Sequence, residues 1–167
     1  MKKIYSLFLA LFISTCVFAA GHTVSITSVN VQCYGTASGS ATASVSGGVG
    51  PFTYDWSPMG ATTATVTGLS TGTYSLVVTD NSDMSTATAN VTITEPPLLA
   101  ASITGGGVTI CSGACTPLTV NATGGTPAYT YSWTPGGAMV PTYSACPIAG
   151  GQTYTVVVTD MNGCTAT

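Results

Sequence analysis

The sequence predicts an all-β protein built from two small β-sandwiches in tandem. Three observations carry this. Apolar residues recur with a period of two, turn residues return about every 8 to 12 positions, and an aromatic phrase occurs twice, as FTYDWSP at 52–58 and YTYSWTP at 129–135. No stretch beyond the first twenty residues shows a helical period of 3.6.

The first element is a leader. Lys2 and Lys3 precede an apolar run from Ile4 to Ile13, and Val17-Phe18-Ala19 offers small residues for cleavage after Ala19. Residues 1–19 therefore read as a secretory signal peptide. The run is shorter than the roughly 20 residues that a membrane helix needs, so the mature chain is expected to have no membrane span. A lipoprotein reading would use Cys16, but Thr15 suits that signal poorly. Lys2 and Lys3 are the chain's only Lys or Arg residues, so cleavage leaves Asp55, Asp80, Asp83, Glu95 and Asp160 as its only Asp, Glu, Lys or Arg side chains. Nucleic acid is excluded as a partner, because binding a phosphate backbone depends on Lys and Arg releasing its counterions.

Two units follow, at 22–97 and 98–167. Gly48 stands eight residues before Trp56, and Gly125 stands eight before Trp133. GTYSLVVTD at 72–80 answers QTYTVVVTD at 152–160, with three residues gained between, and Cys33-Tyr34-Gly35 answers Cys111-Ser112-Gly113. The seam is Glu95-Pro96-Pro97, because two prolines fix an extended connection. In the first unit, strands are expected around Val24 and Ile26, with a parity shift near Ser28 that suggests a bulge or a strand switch before Val29, Val31 and Cys33. Further strands are expected at Ala41-Ala43-Val45, Phe52-Tyr54-Trp56, Ala64-Val66, Tyr74-Leu76-Val78 and Ala87-Ala89-Val91-Ile93. The second unit repeats them at Leu118-Val120-Ala122, Tyr129-Tyr131-Trp133, weakly around Tyr143, and at Tyr154-Val156-Val158. Its last strand has no counterpart, so the second sandwich is expected to lack it and to expose a sheet edge.

The aromatic phrase supplies the bulk of the core. Alternation puts Tyr54 and Trp56, and likewise Tyr131 and Trp133, on one face of a strand; burying one Trp removes about 200 Å² from water, worth about 5 kcal/mol gross. Tyr74 and Tyr154 stand two residues before the inward Leu76 and Val156, where an immunoglobulin-like sandwich places a tyrosine whose hydroxyl bonds to backbone at a corner. The inter-sheet disulfide of that fold is missing, since Leu76 and Val156 hold the position of its second cysteine.

Five cysteines remain after cleavage, and disulfides suit an exported chain. Four lie in the second unit and permit three connectivities. Cys115 and Cys146 have no counterparts in the first unit and sit where the second differs in length, so the expected pairs are Cys115–Cys146 and Cys111–Cys164. Met84 aligns with Cys164, which leaves Cys33 without a partner. A metal site at Cys111 and Cys115 lacks a histidine or CxxC to complete it.

Residues 29–96 resemble the SprB repeat, the module found in tandem in gliding-motility adhesins and other large surface proteins of Bacteroidetes. The resemblance rests on Cys33-x-Gly35, Gly47-Gly48 before Tyr54-x-Trp56, Gly68-Leu69, Gly72-x-Tyr74 and Val78-Thr79-Asp80. Where the family has Asn-Gly-Cys after the Asp, the first unit reads Asn81-Ser82-Asp83-Met84; the second unit, similar to the same repeat or to PKD-like domains, keeps Asn162-Gly163-Cys164. The resemblance implies a secreted, cell-surface adhesin piece, associated with the outer membrane and often exported by the type IX system. It also implies a glycan or protein ligand and further repeats downstream, with a carboxy-terminal sorting domain not visible in this sequence.

For catalysis the sequence offers little. His22 is the only histidine and is expected in a disordered amino terminus. Asp80 and Asp160 end matching strands and read as turn caps. Asp80 with Asp83 is a weak calcium candidate, as two carboxylates make a poor cage. No enzyme activity and no cofactor are expected. The alternative function is carbohydrate binding, with Tyr34, Tyr129 and Tyr143 as platforms should they face outward.

Overall fold

The computed structural model describes residues 21–107, 109, 111, 113–148 and 151–167. The expected leader at 1–19 lies outside the described residues. Strands β1 (Thr23–Val29), β2 (Gly39–Ser46), β3 (Phe52–Ser57), β4 (Thr65–Leu69), β5 (Gly72–Asp80) and β6 (Thr86–Ile93) form two three-stranded antiparallel sheets, ordered β1-β2-β4 and β3-β5-β6. Strands β7 (Ala100–Thr104), β8 (Thr116–Thr123), β9 (Thr130–Thr134), β10 (Thr142–Ala145), β11 (Thr155–Thr159) and β12 (Thr165–Ala166) repeat that topology, ordered β10-β8-β7 and β12-β11-β9. There is no helix among the described residues. The molecule is two immunoglobulin-like β-sandwiches in tandem.

Alternation builds both layers. In β5, Tyr74, Leu76 and Val78 face inward and are buried, while Ser75 and Val77 face out. The outer faces are stitched by hydroxyls, not ions: Thr42 meets Thr65, Thr73 meets Thr92 and Thr119 meets Thr142 side chain to side chain at 3.2–3.3 Å. Such cross-strand pairs suit a chain almost without charge.

Each core closes on its indole. Trp56 is 0 % exposed among Leu69, Leu76, Val78 and Ile93; Trp133 is 1 % exposed among Leu118, Val120, Val156 and Val158. The polar edge of each ring is satisfied alike: Trp56 Nε1 donates to Thr63 O and Trp133 Nε1 to Val140 O, both at 2.9 Å, and in both cases the acceptor lies seven residues on. Burial with the donor unpaired would cost free energy, so the Trp-x-Pro loops curl back to supply a carbonyl. Of the other expected core aromatics, Tyr74 is buried, whereas Tyr54, Tyr131 and Tyr154 are half-buried and pack against the cores.

Two expectations need correction. Of the two explanations for the parity shift near Ser28 the bulge fails, because β1 pairs with β2 without interruption from Thr23 to Val29; the chain instead leaves that sheet after Val29 toward the end of β6. Val31 is buried from the loop that follows, its amide donating to Thr94 O. The second unit's last strand is not wholly missing, because β12 sets Ala166 against Val158 and Thr165 against Thr159, in the place that β6 holds against β5.

Candidate functional site at the seam between the sandwiches

Each sandwich carries the same buried aspartate latch. Asp80 is wholly buried; its Oδ2 accepts from the Val49 amide at 2.8 Å, and its Oδ1 accepts from the Gly50 and Ser82 amides. Asp160 is buried too; its Oδ2 accepts from the Thr126 amide at 2.8 Å, and its Oδ1 from the Asn162 and Cys164 amides. Gly48 and Gly125 explain the glycines that precede each Trp by eight residues. Both have φ in the left-handed region, and an added Cβ would stand 2.5 Å from Asp80 Oδ2 or 2.7 Å from Asp160 Oδ2. Only glycine leaves room for the carboxylate there.

The electrostatics follow from those donors. The Ser82 hydroxyl first, then the Val49, Ser82 and Gly50 amides, hold the Asp80 carboxyl well below the usual carboxylate range against the opposing effect of burial. For Asp160, burial is the largest single influence and pushes its pKa up, but the amides of Thr126, Cys164, Asn162 and Gly163 together outweigh it and keep it lowered. These are turn caps. An acceptor ringed by N–H donors is the inverse of a cation's cage, and Asp83, the other calcium candidate, is exposed and caps Ser85 N. No cluster of three or more His, Cys, Asp or Glu placed to hold a metal occurs among the described residues.

The turn after Asp160 places the cysteine. Asp160 N donates to Cys164 O, whereas Asp80 N donates to Ser85 O, so the first unit's turn is one residue longer. Met84 there takes the left-handed conformation that Gly163 has, and Ser85, not Met84, holds the place of Cys164. Cys164 is bonded to Cys33 of the first sandwich, and Cys115 to Cys146; Cys111 is free and exposed. The expected Cys111–Cys164 pair is therefore wrong, and Cys33 is not an orphan. Cys111 follows β7, while the Asp160 turn lies near the start of that strand. Five residues of strand separate the two ends by about 17 Å, and a disulfide needs Cα atoms within about 7 Å. Cys33 lies at the far end of the first sandwich, where the second begins.

The seam is polar around that bridge. Asn162 Nδ2 donates to Gln32 O across the two units and to Thr126 Oγ1, each at 3.0 Å. The linker is tied down on both sides: Gly35 N donates to Glu95 Oε2 at 2.7 Å, Thr94 N to Asn30 Oδ1 at 3.0 Å, and Gly125 N to Pro97 O at 2.8 Å. A groove of about 430 Å³ runs between, lined by Asn30, Gln32, Glu95, Pro96, Thr126 and Asn162 among others.

Other sequence candidates fall elsewhere. His22 is ordered and buried, contrary to expectation: its Nε2 donates to Val78 O at 3.1 Å, its Nδ1 meets Ser85 Oγ at 3.2 Å, and its ring packs on Phe52. It closes the first core as Leu99 closes the second. Tyr74 makes the expected corner, donating to Ser70 O at 3.0 Å, but Tyr154 donates to the Gln152 side chain instead. Tyr143 stacks on Trp133, and Tyr129 donates to Gly124 O while packing on the core, so only Tyr34 of the three platform candidates faces solvent.

The SprB repeat family model matches residues 25–61 and 118–138, one segment in each sandwich. Each sandwich carries a stretch similar to the SprB repeat. In each SprB segment the match takes in β2 or β8 and the aromatic strand with its Trp. A solved structure of three N-terminal domains of the bacteriophage RB49 Highly Immunogenic Outer Capsid protein (Hoc) is similar, with TM-score 0.51 and 24% identity over 83% of this chain. The chain spans 54% of that one, and the likeness is one of fold. No curated protein matches the chain. No helix among the described residues is long and apolar enough to cross a membrane.

Proposed function

We propose that this chain is an exported module of a cell-surface adhesin, serving adhesion or gliding motility by holding a binding surface away from the cell, with no catalysis. The observation that carries this reading is the Cys33–Cys164 bridge between successive SprB-type units. A disulfide spanning two domains belongs to an oxidising compartment and turns a flexible pair into a fixed rod segment. The leader at 1–19, the absence of Lys and Arg beyond Lys3, and outer faces built of Thr and Ser all suit life outside the cell. The ligand is a surface glycan or protein, and further repeats of the same chain extend the rod, as the family resemblance implies for Bacteroidetes surface proteins.

The test is to raise antibodies against the folded chain and stain intact host cells, then shave them with protease. Surface staining lost on shaving is expected; antigen found only after lysis would end the reading. Carbohydrate binding is the second reading, favoured by Tyr34, which is 52 % exposed. Saturable glycan binding abolished by Tyr34→Ala would select it over a spacer role.

A further inference from the structure

The position of the seam disulfide in the chain has a mechanical consequence. Strands β2 to β6 and β7 to β11 all lie between Cys33 and Cys164, and among the described residues only strands β1 and β12 lie outside. Tension entering at the amino terminus runs along β1 to Cys33, crosses the sulfur atoms, and leaves through β12. The strands that build both cores are enclosed in a covalent loop with a sequence separation of 131.

We propose that the Cys33–Cys164 bridge is a tension-carrying clamp, which lets this pair of sandwiches be pulled from its ends without either one being drawn out. The load path itself has little slack. β1 is already extended, and it is held along its whole length by pairing with β2 from Thr23↔Ser46 to Val29↔Ser40. The turn on either side of the bridge is braced: Cys33 O accepts from Thr36 N, and Cys164 N is held by the buried Asp160. Asn162 ties the same turn to Gln32, next to the bridge, so the two sandwiches cannot swing freely about Pro96 and Pro97. Cys115–Cys146 is a different device, since it closes a loop of separation 31 inside the second sandwich and lies off the load path. The clamp deepens the display role proposed above and takes its biological sense from it, but its mechanics do not depend on any ligand.

Single-molecule force spectroscopy on the leaderless chain, tethered by its two ends, tests this. At about 3.5 Å per extended residue the oxidised chain releases no step longer than about 6 nm, because only the residues outside the bridge can stretch. Cys33→Ser with Cys164→Ser frees the separation of 131, less the 31 still closed by Cys115–Cys146, and yields about 35 nm of new length. Trp fluorescence of the double variant verifies that its cores are formed. Should that variant fail to fold, oxidised and reduced wild-type chain compared in the same chamber give the same answer, with about 46 nm released only after reduction. Steps of tens of nanometres from the oxidised wild-type chain would overturn the clamp, and so would equal extension with and without the bridge. Cell-surface staining is independent of this result, so a failed display reading and a failed clamp are told apart.

Discussion

The amide of Val49 donates to Oδ2 of Asp80 at 2.8 Å, and the pair closes a loop across 31 residues of chain. Thr126 and Asp160 repeat the contact in the second sandwich at the same distance. Each latch fastens the loop after the second strand to the end of the fifth.

The latches make stability depend on acid. Both carboxyls titrate below their ordinary value in the folded state, so the unfolded chain takes up protons first as the pH falls. Their contribution is complete above about pH 5 and declines as the pH drops through about 4 toward the folded-state values. Asp80→Asn or Asp160→Asn should lower the melting temperature at pH 7 and flatten the acid limb of a melting-temperature profile. An unchanged acid limb in both variants would contradict the latch.

Gly48 and Gly125 leave no space for a side chain. Gly48→Ala and Gly125→Ala should each destabilise their own sandwich by about 1–3 kcal/mol, from left-handed backbone alone, with the crowded carboxylate adding to it. Gly60→Ala, where an added Cβ meets nothing, serves as the control for backbone strain without crowding. Urea melts read out the difference, and equal costs at Gly48 and Gly60 would show that the carboxylate contact is not felt.

Trp56 and Trp133 each complete a small core. Truncation to Ala costs about 3–5 kcal/mol, on the scale of a small domain's whole stability. Trp56→Ala should abolish the cooperative unfolding of the first sandwich while Trp133 fluorescence still reports a folded second one. A near-normal melt of the first sandwich would refute the role given to the indole.

Cysteine chemistry gives a direct check of topology. Maleimide should label the leaderless chain, which lacks Cys16, once, at Cys111, and a non-reduced digest should yield Cys33 linked to Cys164 and Cys115 linked to Cys146. A peptide linking Cys111 to Cys164 would invert the seam. The Cys115–Cys146 loop should stabilise the second sandwich by about 4 kcal/mol on the chain-entropy account, measurable as the loss in Cys115→Ser with Cys146→Ser.

Calcium should leave the melting curve where it is. The oxygens of Asp80 already accept amide N–H groups, so neither calcium nor chelator has ligands to compete for there. A rise of several degrees with calcium, reversed by chelator, would show a cage that uses other oxygens.

Much of this was legible from local pattern. A period of two and repeated turn residues determine strands, and the twinned Trp phrases determine two cores, because each depends on neighbours a few residues apart. Asp80 and Asp160 were legible as caps for the same reason. The tertiary structure alone decided which cysteines meet, because that depends on which end of a sandwich each turn occupies. Cys164 is bonded to Cys33 of the preceding unit, and Cys111, which follows β7, stays free. It also decided the fate of His22, which a residue count places at a loose end and which β1 carries onto the open edge of the first core. Contacts between distant segments follow from topology, and topology is a property of the whole chain that no short window of residues contains.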